Sequence, residues 1–223
     1  TVLGGTTETG NFTLNSKGGV TQTGALDIDG TTSITESADN ADITLTNLDN
    51  SFSKAITILS DDTNDDNAED IDITNSVATV LGGTTQSGTL DVVSKTGDIK
   101  QTGKLEVGAK SSFTTEANDA TITLTNTANA LTGAVTFIST DSDSNNEEVV
   151  QLTNSIATVL GGSTESGSLV VISKSGNITQ TGSLDVDTIS SFTTEADDTT
   201  ITLTNGGNAL TGAVTFTSTD TNA

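Results

Sequence analysis

Asp62, Asn64 and Asp66 place oxygen donors at alternate positions, and Asp141, Asp143 and Asn145 repeat the pattern 79 residues later. Calcium takes six to eight hard oxygens, and ligands at i, i+2 and i+4 suit it. Glu69, Glu147 and Glu148 stand close by as further donors, and Asp220 with Asn222 begins a third string. Neither full string completes an EF-hand, because the sixth-position Gly is absent and the twelfth position is Ile73 or Leu152. Calcium is therefore a candidate cofactor and none is required. The competing account is a solvated acidic turn.

Other chemistry is largely excluded by composition. The chain lacks Cys, His, Met, Trp, Tyr and Pro, and all seven of its basic residues are Lys. Without Cys there is no disulfide framework and no thiolate metal site. Without His there is no Ser-His-Asp triad and no ordinary neutral-pH general base. Pairs such as Asp65-Asp66, Glu147-Glu148 and Asp197-Asp198 have the composition glycoside hydrolysis uses. They recur with the repeat or sit in apparent turns, whereas an enzyme site is one irregular constellation. The expectation is that the chain is not an enzyme and has no catalytic residues, with a polysaccharide-degrading β-helix as the remote alternative. Its formal charge of -23 would repel nucleic acid and anionic membranes.

The elements that carry these residues are set by repetition. Thr1-Val2-Leu3-Gly4-Gly5-Thr6 returns as Thr79-Val80-Leu81-Gly82-Gly83-Thr84 and as Thr158-Val159-Leu160-Gly161-Gly162-Ser163. The copies run over 1–78, 79–157 and 158–223, the last incomplete. Within a copy the signal has period two, as in Ser168-Leu169-Val170-Val171-Ile172 and Thr200-Ile201-Thr202-Leu203-Thr204. Such alternation, rich in Val, Ile, Thr and Phe and broken by Gly, Asn, Asp and Ser, predicts short half-buried strands. Separate immunoglobulin-like domains are the alternative, but they need a larger core and linkers. A solenoid needs only that each coil bury a few residues on the next. The fold expected is an all-β, right-handed parallel β-helix with roughly four coils per copy. Leu169, Val171, Ile178, Leu184, Val186, Phe192, Ile201, Leu203, Leu210, Val214 and Phe216 should face inward. Asn47, Asn126 and Asn205 are turn candidates. Asn75 and Asn154 are others, and stacked Asn amides can hydrogen-bond along a solenoid axis.

The ordered series from Gly176-Asn177-Ile178-Thr179-Gln180 through Ser191-Phe192-Thr193 and Thr200-Ile201-Thr202-Leu203-Thr204-Asn205 to Asn208-Ala209-Leu210-Thr211-Gly212-Ala213-Val214-Thr215-Phe216 resembles the repeats of filamentous-haemagglutinin-like exoproteins and autotransporter adhesins. The resemblance implies a right-handed β-helix exported to the cell surface or beyond. Thr1 falls inside a repeat, so the chain reads as an internal segment of a longer protein. The expected role is a structural or adhesive extracellular fibre, associating end to end or continuing into more of the same chain. The alternative is a module binding a surface glycan or protein receptor through calcium-dependent acidic loops.

Overall fold

The computed structural model describes residues 1–4, 7–60, 69–83, 85–139, 148–162 and 164–219. Among them there is no helix, and the chain is a stack of parallel strands wound into a β-solenoid of about nine turns. Every strand pair is parallel and in register with a strand one turn away, so Ile71 lies on Leu90, Leu90 on Ser111, and Ser111 on Val135.

Each full copy is built from seven sides, and the incomplete third shows six among the described residues. In the first copy three are pairs of short strands, such as Ile43–Leu45 with Ser51–Phe52, and four are longer strands: Phe12–Ser16, Thr32–Glu36, Ile56–Ser60 and Asp70–Asn75. Two sides make one turn, so the roughly four coils expected per copy resolve to three and a half. The odd number has a topological consequence. Ile43–Leu45 and its equivalent in the second copy, Thr121–Leu124, lie in different sheets, whereas the third equivalent, Ile201–Thr202, returns to the sheet of the first. Successive repeats therefore present the same features from opposite sides of the rod.

The core is one continuous column of apolar side chains, with Phe52, Phe113, Phe137 and Phe192 the largest. Strand register stacks like on like: Phe113 lies on Phe137 with ring centroids 5.8 Å apart, and Phe192 lies on Phe216 at 5.7 Å. Alternation supplies this core cheaply, because every second residue of a strand points inward and each coil completes its burial against the next. The inward residues expected from Leu169 to Phe192 are buried. Ile201, Leu203 and Leu210 are only partly buried, and Val214 and Phe216 are exposed, with no further turn over them among the described residues.

Turns are fixed by conformation. Asn40, Asp119 and Asp198 hold φ of 56°, 58° and 57° at equivalent corners, a left-handed geometry that Asn and Asp tolerate better than most residues. Gly83 and Gly162 hold φ of 72° and 74°. A Cβ on Gly162 would also come within 2.6 Å of Thr136 Oγ1.

Candidate functional site

Two recurrent polar clusters lie inside this column. The first is an amide ladder. Gln22 Nε2 donates to Asn50 Oδ1 at 2.8 Å and Asn50 Nδ2 donates back to Gln22 Oε1 at 2.9 Å. Asn50 Oδ1 also accepts the Leu26 N–H, and Nδ2 reaches the carbonyls of Leu45 and Thr74. The same reciprocal pair recurs as Gln101 with Asn129 and as Gln180 with Asn208. Asn75 continues the column: its Oδ1 accepts the Phe52 N–H at 2.9 Å and its Nδ2 donates to Phe52 O, Ala78 O and Thr79 Oγ1. Asn154 does the same around Leu131. These amides satisfy backbone groups left unpaired where a side breaks into two short strands, and an unmet buried donor is costly.

Asn75 and Asn154, expected at turns, instead end the strands Asp70–Asn75 and Val149–Asn154, where their buried amides bond to the neighbouring coil. Asn47, Asn126 and Asn205 are turn residues as expected, each accepting the N–H two residues on through Oδ1. The Gln22–Asn50 type of pair was not foreseen. Its signal is a Gln-Thr-Gly string that returns at Gln22, Gln101 and Gln180 in step with an Asn before a small-apolar pair at Asn50, Asn129 and Asn208.

The second cluster is acidic and sits at a corner. Glu69 and Glu148 are buried, not exposed ligands at a loop margin. Glu69 Oε1 accepts the Asn40 N–H and Glu148 Oε1 accepts the Asp119 N–H, each holding the left-handed turn of the preceding coil. Asp62, Asn64, Asp66, Asp141, Asp143 and Asn145 lie outside the described residues. So do Glu147, Asp220 and Asn222. Among the described residues no three His, Cys, Asp or Glu side chains gather as a metal site.

The outer surface carries charge in register. Asp72 lies beside Asp91 in the neighbouring coil. Partial burial first, and then the charges of Asp91, Asp70 and Asp42, raise its carboxyl above the ordinary range. Asp98 goes the other way: burial opposes its ionisation, but the Lys100 ammonium at 2.7 Å and the Thr121 N–H outweigh it and hold the carboxyl low. Lys95 with Glu116, and Lys174 with Glu195, are equivalent ion pairs that tie adjacent coils at the surface. A shallow groove of about 470 Å³ crosses this face between Asp72, Asp91, Lys110, Thr136 and Gly161.

A continuous parallel solenoid with an internal amide ladder defines a structural repeat protein. The chain belongs to the family described as Repeats of unknown function (DUF5649), which matches residues 1–59, 68–138 and 147–217. The matched units are about 70 residues long, and the Asp- and Asn-rich stretches fall between them. Comparison with curated proteins and with solved structures finds no match.

Proposed function

We propose that the chain is a segment of a non-catalytic extracellular or cell-surface fibre, in which the repeats set length and stiffness for adhesion or matrix building. The observation that carries this reading is the unbroken strand register from the first copy to the third, including both copy junctions: Leu81 lies on Ile56 and Leu160 on Val135. A load along such a rod is shared over many interstrand bonds. Among the described residues the strand pairing between copies is parallel, as it is within a copy, which suits a part whose job is extension.

The last turn supports end-to-end association or continuation. Val214 and Phe216 leave apolar surface open beside Ile201 and Leu203. The equivalent surface of the second copy, around Val135 and Phe137, is covered by the following turn. A second copy could dock by repeating the internal junction, with Leu3 taking on Val214 the place that Leu160 takes on Val135. Sedimentation velocity tests this: association should rise with concentration and with salt, which screens the acidic rods from one another. Phe216→Asp should reduce it at least tenfold, and association unaffected by that change would count against end-to-end growth.

A second reading is a module for a glycan or a protein receptor. The shallow groove with Asp72, Asp91 and Lys110 on one side favours it, since such groups can orient a sugar or peptide. Loss of ligand capture on Asp91→Ala, with the fold intact, would support it.

A further inference from the structure

The corner after Thr32–Glu36 is gripped from inside by two carboxylates. Glu36 Oε1 accepts the Ala38 N–H at 2.5 Å and Glu69 Oε1 accepts the Asn40 N–H at 2.9 Å, so both side chains bind the same short turn. Ser60 lies in register on Glu36. All three residues are 0% exposed. Glu36 Oε2, Glu69 Oε2 and Ser60 Oγ have no hydrogen-bond partner among the described residues.

The column makes this corner exceptional. At the equivalent inner position the second and third copies carry Thr115 and Thr194, flanked in register by Ser94 and Ser139 or by Ser173 and Ser218. Only the first copy substitutes a carboxylate. Two buried acids in one corner carry a large desolvation cost and repel each other unless something positive is shared between them. Water would meet the unpaired oxygens and leave both charges. A divalent cation answers both needs.

We propose that Glu36 Oε2, Glu69 Oε2 and Ser60 Oγ form a site for a hard divalent cation of calcium's class. The donor set is all oxygen and its two carboxylates balance a charge of two, as hard cations prefer. Waters complete the shell. The second copy offers the same corner with Thr115, Ser139 and Glu148, whose Oγ1, Oγ and Oε2 are also unpartnered among the described residues. With one carboxylate fewer, it binds more weakly. The site ties consecutive coils together where the chain leaves one side of the rod for the other.

The test is calorimetric titration of the chelator-stripped full chain with calcium chloride, alongside its melting temperature with and without the metal. Binding with a calcium-dependent rise in melting temperature is expected. Glu36→Gln should weaken the tight site at least tenfold. Thr115→Glu should add a second tight site. Both variants leave the Asp- and Asn-rich stretches intact, so binding by those stretches would survive Glu36→Gln. That survival, or the absence of calcium-dependent heat in the unaltered chain, overturns the proposal. If Glu36→Gln does not fold, an unchanged number of tight sites in Thr115→Glu overturns it equally. None of these outcomes bears on the rod itself, which distance measurements read separately.

Discussion

Asn129 has no exposure to solvent and yet uses its whole amide: Oδ1 accepts from Gln101 and Leu105, and Nδ2 donates to Gln101, Leu124 and Thr153. Removing it strands several buried groups at once, and each unmet group costs roughly 1–3 kcal/mol. Asn129→Ala should therefore lower stability by about 3 kcal/mol in urea denaturation. Asn126→Ala, which loses one exposed turn bond, should cost less than about 1 kcal/mol. Equal effects would show that the ladder is not a source of stability. Asp72 gives a pH-dependent case. Its raised carboxyl means that the folded chain takes up a proton more readily than the unfolded one. Ionised Asp72 therefore weakens the fold at neutral pH, and acidification through its raised value relieves the strain. Asp72→Asn should stabilise by no more than a few tenths of a kcal/mol at pH 7, because it removes a partly desolvated charge and its like-charged neighbours at a site where solvent screens most of the effect. The gain should vanish once both forms are neutral at low pH, which melting curves across the carboxylate range would check.

At the level of the element, each side of the rod depends on a turn that only certain residues can make. Gly162 combines left-handed φ with contact against Thr136. Gly162→Ala should destabilise by more than about 1 kcal/mol, whereas Gly206→Ala, where a Cβ meets nothing within 4 Å, should stay within about 0.5 kcal/mol. Equal melting temperatures would refute the turn assignment. The strands themselves were legible in the sequence, because Ser168-Leu169-Val170-Val171-Ile172 can bury only alternate residues and the pattern repeats. The burial of Glu69 and Glu148 was not legible. An acid beside an Asp-rich string reads as part of that string, and only strand phase shows that it points inward with the buried residues of Asp70–Asn75 and Val149–Asn154. The Asn50 type of amide was hidden for a related reason. A polar residue beside a turn looks like a turn residue until its partner a coil away is known.

For the whole molecule, the 79-residue period was plain in the sequence but its relation to the turn was not. Counting short strands does not reveal that Ile99–Gln101 and Leu105–Val107 together make one side. That pairing makes each full copy three and a half turns and sends equivalent features to alternate sides. The strand Ile56–Ser60 and the next, Asp70–Asn75, lie in different sheets, and their counterparts Ala134–Ser139 and Val149–Asn154 take the two sheets in the reverse order. Equivalent strands of successive copies thus lie in opposite sheets, which spreads like features along a chain of net -23 and limits lateral clumping.

The central claim is that three copies form one continuous stack, and the absence of cysteine makes it directly measurable. Leu48 and Gly206 are equivalent exposed turn residues of the first and third copies, and their strands lie seven spacings apart in one sheet. Spin labels on Leu48→Cys and Gly206→Cys should give a single narrow distance near ~34 Å by pulsed electron spin resonance, from strand spacings of ~4.8 Å. A broad distribution at much longer distances would mean separate domains on hinges, and would contradict the solenoid together with the fibre built upon it.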